Sequence, residues 1–232
     1  MPRDGRAEMP RGFFVTGTDT GVGKTLVACA LLRALRARGS DAAGMKPIET
    51  GVGQAGPLDA LALRAAAGDV DPLDDVCPQR FALPAAPTVA AAAEGRQVEL
   101  WAVRRAFERL SARHSCVIAE GAGGLLVPVA EQECMADLAR DFNLPLVVAA
   151  RAALGTINHT LLTLEAAVAR GLSVAGVVIS HASGPLSPAD AANLEALRQA
   201  LDSALLGEIP PLAPSQHPPP DAIDLDALLA DT

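Results

Sequence analysis

The chain alternates short apolar runs with longer amphipathic stretches. The apolar runs predict strands at FFV, DAAGMK, CVIA, LVVAA, VAGVVI and LLGEI. The stretches between them predict helices at residues 24–38, where Gly39 stops the first helix, and at 58–67, 98–113, 157–170 and 188–205. Strands separated by helices predict an α/β fold, with a doubly wound, mostly parallel sheet that binds ligands at the carboxyl ends of its strands.

No internal repeat and no linker divides the sequence, so its 232 residues predict a single domain. We expect residues 1–11 to form a flexible tail. The Pro-rich stretch PPLAPSQHPPPD, residues 210–221, predicts an irregular segment, and DAIDLDALLA predicts a last helix. Half of the residues are hydrophobic and only 3% are aromatic, which favours helices packed closely on a sheet of Val, Leu and Ile.

The formal net charge of −8 disfavours nucleic acid and anionic membranes as partners and favours a small-molecule role. No apolar run reaches the ~18 residues of a membrane span. The opening residues MPRDGRAEMPRG lack the apolar stretch of a signal peptide, so we expect a cytoplasmic protein. The four cysteines form no C-x-x-C pair and are expected to be buried thiols rather than metal ligands or disulfides.

The stretch FVTGTDTGVGKT, residues 14–25, follows the first strand and opens the first helix. A standard phosphate loop, G-x-x-x-x-G-K-[ST], would have its first glycine at Thr18, but Gly17 stands one residue earlier. The longer loop can still bind phosphate, because its last amides lie at a helix N-terminus, Lys24 can reach the terminal phosphates and the Thr25 hydroxyl can bind Mg²⁺. Nucleotide contacts are predicted from Gly21, Val22, Gly23, Lys24, Thr25 and Leu26.

Three other charged residues lie near predicted strand ends. Glu120 follows the strand CVIA and precedes a glycine-rich loop, where a carboxylate can hold magnesium. Lys46 ends the strand in GMKPIETG, since Pro47 prevents its continuation. Taken alone, Lys46 is more often a solvated lysine, and Asp59 in GPLDALAL is more often a residue that complements a helix dipole. The specific signal lies in their combination.

The motifs GTDTGVGKT, KPIETG, LDALAL, VIAEGAGGLLVPV, LGTINHTLLT and LLGEIP occur in this order over nearly the whole chain. Together they resemble the dethiobiotin synthetase family of P-loop NTPase-like enzymes, which carries the longer G-x5-G-K-T loop. The resemblance implies a homodimer that condenses 7,8-diaminononanoate, carbon dioxide and ATP into a cyclic urea and releases ADP and phosphate. It also implies a carbamate and a carbamoyl-phosphate mixed anhydride as intermediates.

The resemblance implies roles for particular residues. Lys46 matches the family's catalytic lysine, assisted by Lys24 and Thr25, and Thr25, Asp59 and Glu120 match its magnesium and nucleotide ligands. The expected nucleotide contacts continue with Gly121, Ala122, Gly123, Ser180, His181, Pro210, Pro211 and Leu212. The expected substrate contacts are Lys46, Thr50, Gly123, Leu154, Gly155, Thr156 and Asn158, the last four reaching the substrate carboxylate across the dimer interface. Without the resemblance, Asn158 and His159 would be interpreted as helix-capping residues.

The sequence departs from the family pattern at three positions. Thr50 stands where Ser is usual, which keeps the hydroxyl donor, and Gly21 stands where some members have Glu. Ser180 stands where many members have Asn, so the two-point contact of an amide with the base is not expected.

Other functions fit less well. A partitioning-type ATPase would normally carry a second lysine early in the loop, where this chain has Thr18 and Asp19, and a GTPase would need an N-K-x-D motif. A cobyrinate-type amidoligase would need a glutaminase domain after this one, which we do not expect.

Overall fold

The structure of the protein is a computed structural model, which describes residues 12–182, 186–213 and 216–230. The predicted N-terminal tail, residues 1–11, lies outside the described residues. The strands are β1 (Gly12–Gly17), β2 (Ala42–Met45), β3 (Ile48–Thr50), β4 (Gln79–Phe81), β5 (Cys116–Gly124), β6 (Leu146–Arg151), β7 (Val174–Ser180) and β8 (Leu205–Ile209). The helices are α1 (Lys24–Ala37), α2 (Leu58–Ala66), α3 (Leu73–Val76), α4 (Pro87–Ala93), α5 (Leu100–Arg113), α6 (Met135–Asp141), α7 (Thr156–Ala169), α8 (Pro188–Leu201) and α9 (Leu225–Ala230), with a short 3₁₀ turn at Asp202–Ala204.

Six strands form one parallel sheet in the order β2-β5-β1-β6-β7-β8. Helices α1, α2 and α9 contribute to the core on one face, and helices α4 to α8 contribute on the other. The chain therefore forms the predicted doubly wound α/β fold. Because β1 lies between β5 and β6, the loop that follows it lies at the carboxyl edge of the sheet, near the middle.

The alternating side chains of the strands build both halves of the core. In β1, Phe13 and Val15 join the core beneath α1, whereas Phe14 joins the core on the opposite face. The Phe14 ring lies 6.3 Å from that of Phe142, which stacks on Phe107 at 4.0 Å. The continuous apolar runs of the sequence are thus strands buried on both faces, as is usual in parallel sheets.

The connection between β2 and β5 is long and carries its own small sheet. We call its first part, residues 46–99, the crossover segment. It contains α2, α3 and α4, and its strands β3 and β4 pair in parallel with each other and not with the main sheet. The Lys46 amide donates to the Val76 carbonyl at 2.7 Å, which ties the start of the crossover segment to the end of α3.

The six predicted strands and five predicted helices are all present, and a last helix, α9, occupies part of DAIDLDALLA. The sequence did not predict β3, β4, α3, α4 and α6, which are three to seven residues long and too short to show a clear period. Strand β5 continues to Gly124 through the glycines that the sequence assigned to a loop. Helix α8 ends at Leu201, because the next three residues tighten into a 3₁₀ turn.

Two further observations concern the cysteines and the possibility of a membrane-spanning helix. All four cysteines are free and buried. Over residues 12–182, 186–213 and 216–230, no helix combines the length and apolar character that a membrane crossing requires.

Candidate active site

The phosphate loop turns sharply between β1 and α1. Gly21 and Gly23 both have positive φ, at 72° and 91°, and a Cβ at Gly23 would lie 2.3 Å from the Ser180 hydroxyl oxygen. Only glycine fits this position, because a side chain would be strained and would collide with β7. Among the described residues, no side chain caps α1, so its first amides are available for an anion.

Lys24 folds back over the loop. Its Nζ donates to the Asp19 carbonyl at 2.9 Å. Burial lowers the pKa of Lys24 to about 8, and the nearby Lys46 ammonium acts in the same direction. The side chain lines the cavity next to the α1 N-terminus, so a bound phosphate would find both a cation and free amides there.

Four side chains meet beside the phosphate loop. The Thr25 hydroxyl oxygen lies 2.9 Å from both Asp59 Oδ1 and Glu120 Oε1. Lys46 Nζ donates to Asp59 Oδ2 at 2.6 Å and to Glu120 Oε1 at 2.5 Å. These residues come from α1, α2, β5 and the residue after β2, so the fold joins positions up to 95 residues apart. We call Thr25, Lys46, Asp59 and Glu120 the lysine–carboxylate cluster.

Lys46 and Glu120 are shielded from water, which strengthens the electrostatic interaction between them, whereas the Asp59 side chain is 40% exposed. Lys46 is 3% exposed and Glu120 is fully buried. Burial alone would lower the pKa of Lys46, but Glu120 and Asp59 outweigh it and raise that pKa, so the ammonium stays charged. Burial would also raise the pKa of Asp59, yet Lys46 outweighs it and holds the Asp59 pKa below its usual range. Lys46 and Asp59 therefore hold separated charges next to the phosphate loop, whereas burial outweighs Lys46 at Glu120 and raises the pKa of that carboxyl.

The oxygens of the cluster suit a hard cation. Glu120 Oε2 is buried and has no hydrogen-bond partner among the described residues. Thr25 has one hydroxyl proton and therefore cannot donate to both of its carboxylate neighbours at once. Across the same residues, no three His, Cys, Asp or Glu side chains group as metal ligands, so two carboxylates and one hydroxyl are the donor set that this site offers.

The segment expected to read the base is described only in part, because residues 183–185 lie outside the described residues. The Ser180 hydroxyl is buried against Gly23 and has no hydrogen-bond partner among the described residues. His181 Nε2 lies 3.1 Å from Glu208, whose carboxylate also accepts two bonds from Arg198. Ser180 thus faces the phosphate loop, and His181 is held by an acidic neighbour on β8.

The residues expected to hold the substrate carboxylate lie at the start of α7. Gly155 has a φ of 87° and precedes the helix, and Leu154 and Asn158 are exposed. One amide of this group is already engaged, because the Thr156 N–H donates to the Ala153 carbonyl at 3.2 Å. None of these residues lines the cavity of its own chain.

Sequence comparisons agree with this geometry. The sequence model of the AAA domain family matches residues 11–218. A protein of Anaeromyxobacter dehalogenans (strain 2CP-C), named ATP-dependent dethiobiotin synthetase BioD, is 53% identical over 88% of this chain and 92% of its own length. Proteins of the same name from Aromatoleum aromaticum and Bacillus licheniformis are 45% and 38% identical, over 88% and 94% of this chain and 92% and 96% of their own lengths. The chain belongs to the dethiobiotin synthetase family.

Solved structures support the fold of this dethiobiotin synthetase family member. The cell division protein FtsY of Thermotoga maritima aligns with a TM-score of 0.53 over 99% of this chain and 73% of its own, at 14% identity. At that identity the likeness concerns the fold alone.

In the dethiobiotin synthetase family member, a cavity of about 650 Å³ lies over the phosphate loop. The predicted site residues that line it are Gly21, Gly23, Lys24, Thr25, Leu26, Lys46, Thr50, Asp59, Glu120, Ala122 and Gly123. The predicted residues that do not line it are Val22, Gly121, Ser180, His181, Pro210, Pro211, Leu212 and the four at the start of α7. Gly121 instead faces the Phe14 ring, and the Val22 side chain is buried in the core.

Sequence reasoning missed several residues that line the same cavity: Thr20, Glu49, Pro84–Pro87, Val127 and Ala182. Glu49 stands inside the KPIETG motif, so its place between Lys46 and Thr50 was an available signal. Pro84–Pro87 follow β4, a strand too short to predict, and only the three-dimensional path of the crossover segment brings them to the cavity.

Proposed function

We propose that this protein forms the ureido ring of dethiobiotin from 7,8-diaminononanoate, carbon dioxide and ATP, with release of ADP and phosphate. The observation that carries the proposal is the lysine–carboxylate cluster, in which a buried Lys46 ammonium lies beside the phosphate loop and Thr25. Relatives named as ATP-dependent dethiobiotin synthetases, each matched over 92% of its own length, support the same activity.

In the proposed complex, the α1 N-terminus and Lys24 hold the ATP phosphates. Thr25, Asp59 and Glu120 would hold Mg²⁺, which neutralises charge that develops on the transferring phosphoryl group. Two observations support Mg²⁺ at this site. Glu120 Oε2 is buried and has no hydrogen-bond partner among the described residues, and the donor atoms of Thr25, Asp59 and Glu120 are all oxygens. The nucleotide site would extend along Ala122 and Gly123 towards Ser180, His181 and Pro210–Leu212.

The proposed chemistry has three steps and needs no side-chain nucleophile. One substrate amine adds to carbon dioxide and loses a proton, which gives a carbamate. A carbamate oxygen attacks the γ-phosphorus as the bond to ADP breaks, and the second amine then attacks the carbonyl carbon and expels phosphate. Negative charge builds up at each stage, and Lys46 and Lys24 are placed to stabilise it at the carbamate and at the phosphoryl oxygens. Thr50 and Gly123 line the cavity where the substrate would lie.

We further propose that the protein is a homodimer whose substrate site crosses the interface. Helix α7 and its surroundings expose Leu126, Leu154, Leu162 and Val168, and the last of these is 72% exposed. A second cavity of about 420 Å³ shares Thr20 and Val127 with the first and extends between the segment after β5 and α7. Apolar side chains around a groove of this kind favour a protein partner. Leu154, Gly155, Thr156 and Asn158 would then meet the substrate carboxylate of the neighbouring subunit.

The remaining proposals concern organisation and location. The cores on both faces pack against one six-stranded sheet, which supports a single domain for the chain. Four free thiols suit a reducing compartment, and the cytoplasm is the location that we propose. The net charge of −8 supports small-molecule partners rather than nucleic acid or a membrane surface.

The proposal is tested by phosphate release from ATP. We expect release that depends on both 7,8-diaminononanoate and bicarbonate, together with dethiobiotin detected by mass spectrometry. A Lys24→Ala protein serves as the matched control, because it lacks the phosphate-loop cation. ATP hydrolysis that proceeds equally well without the diamine and bicarbonate would instead support an ATPase of the partitioning type.

A further inference from the structure

Glu49 is a buried carboxylate that bonds to the backbone of another element. It lies in β3 and is 6% exposed. Its Oε1 accepts from the Asp59 amide at 3.0 Å, and its Oε2 accepts from the Ala60 amide at 2.9 Å. These amides belong to the first turn of α2, which has no capping side chain at its own N-cap position, Pro57. The carboxylate therefore caps α2 from outside the helix.

The capped residue is a member of the lysine–carboxylate cluster. The Asp59 side chain reaches Thr25 at 2.9 Å and Lys46 at 2.6 Å, while its backbone amide is held by Glu49. Glu49 also lies three residues after Lys46 and directly before Thr50. One side chain thus connects the strand that carries Thr50, a proposed substrate contact, to the helix that carries Asp59, a proposed metal ligand.

A local cap would not make this connection. Ser, Thr, Asp or Asn at the N-cap position satisfies the same amides but leaves the helix free to move as a unit. A carboxylate that comes from β3 fixes the distance between β3 and α2, and the cavity over the phosphate loop is lined by Glu49 as well as by Asp59.

We propose that Glu49 is a positioning residue, which acts through the Asp59 backbone to hold the Asp59 carboxylate in the geometry that binds the metal–nucleotide complex. This role for Glu49 rests on one part of the proposed function, namely that the site binds Mg²⁺ and a nucleotide. It does not require the diamine to be the substrate. Both carboxylate oxygens of Glu49 accept from backbone amides of α2, so the proposed role is to position Asp59 and not to contact the reacting atoms. Removal of the Glu49 side chain would let the first turn of α2 shift and would weaken one oxygen ligand without removing it.

The test compares Glu49→Gln, which keeps the shape and loses the second acceptor, with Glu49→Asp, which keeps the charge and is one methylene too short to reach both amides.

Asp224→Asn is the matched control. Asp224 Oδ1 accepts from the Asp226 and Ala227 amides at 3.0 Å each, so it caps α9 locally, from the residue before the helix and away from the cavity. ADP affinity is titrated by calorimetry at increasing Mg²⁺, and hydrogen exchange is followed at the Asp59 and Ala60 amides.

We expect both Glu49 variants to need about tenfold more Mg²⁺ for the same ADP affinity, the order expected for loss of one capping interaction. The α2 amides should exchange faster, the KM for the diamine should change little, and Asp224→Asn should match the wild-type protein in all of these. If α2 loses protection while Mg²⁺ dependence stays normal, Glu49 is only a structural cap and the proposal is wrong. If Glu49→Asp binds like the wild-type protein, charge rather than position is responsible and the proposal is also wrong.

The binding assay also separates this proposal from the proposed function. A wild-type protein that shows no diamine-dependent turnover contradicts the proposed function, whereas the Mg²⁺ and exchange results decide the role of Glu49 in either case. Circular dichroism of each variant shows whether it is folded. If Glu49→Gln does not fold, Glu49→Asp carries the same comparison.

Discussion

Lys46 Nζ lies 2.5 Å from Glu120 Oε1, and neither side chain is open to solvent. A buried ion pair of this kind balances its charges within the protein, so removing one partner leaves the other charge without compensation. The pair therefore has two consequences, one for catalysis and one for stability.

Lys46→Ala should lower kcat by ~10²–10³, because the ammonium that stabilises developing negative charge is lost. The protein should stay folded but become less stable by about 3–5 kcal/mol without ligand, since Glu120 then lacks its counter-ion. The expected loss of stability follows from the structure alone, because the sequence does not show that Lys46 is buried. Steady-state kinetics and thermal unfolding measure the two effects, and Lys46→Arg is the charge-preserving control. Near-normal turnover in the alanine variant would contradict the assignment.

Mixed dimers should recover activity that neither inactive variant has alone. An Asn158→Asp subunit still supplies Lys46, and a Lys46→Ala subunit still supplies Asn158, so each hybrid dimer would contain one intact site. Equal mixing with full exchange should give about a quarter of wild-type activity, since half of the dimers are hybrids with one working site of two. A protein with both substitutions, mixed with either single variant, is the control that cannot regain an intact site. No recovery after confirmed subunit exchange would count against a shared site.

Base selectivity should be weak. The Ser180 hydroxyl faces Gly23 and has no hydrogen-bond partner among the described residues, and a hydroxyl cannot make the two-point contact of an amide with a base. ATP should work best, with CTP or GTP within roughly tenfold, which corresponds to ~1.4 kcal/mol for one missing contact. The measurement is kcat/KM for each nucleoside triphosphate. A preference for ATP above about a hundredfold would show that backbone or His181 contacts read the base.

His114 should make part of the stability depend on pH. Its Nδ1 lies 2.9 Å from Asp41 and its Nε2 3.1 Å from Asp71, which also pairs with Arg113. Burial would lower the pKa of His114, but the hydrogen bonds to Asp41 and Asp71 outweigh it and raise that pKa above 6.5. This contribution is therefore complete below the unfolded pKa of about 6.5 and is lost as pH rises through the folded value.

A His114→Gln protein should accordingly be less stable than the wild-type protein by about 1 kcal/mol near pH 6, a discounted figure for a charge-assisted bond at a partly exposed site. The difference should shrink as pH rises. Urea unfolding at several pH values gives both curves, and a gap that stays constant with pH would show that lost packing is the cause.

Sequence reasoning predicted the elements that have a strong local signal. β1, β6 and β7 are continuous apolar runs, and the loop ending in Lys24 and Thr25 has a distinctive spacing of glycines. The short elements of the crossover segment have no such period, and their existence depends on contacts with distant residues. The role of Glu49 could not be predicted from the sequence. Its hydrogen-bond partners lie ten and eleven residues away, on a helix whose position depends on the rest of the fold.

The crossover segment also affects how this protein could change during evolution. It supplies Lys46, Thr50, Asp59 and the wall at Pro84–Pro87, whereas the phosphate loop follows β1 and Glu120 lies in β5 of the main sheet. The shape of the cavity opposite the phosphates is thus encoded in one continuous stretch of the gene. Exchange of residues 81–90 between relatives would change which molecule binds beside the nucleotide. The residues that bind the triphosphate would stay the same.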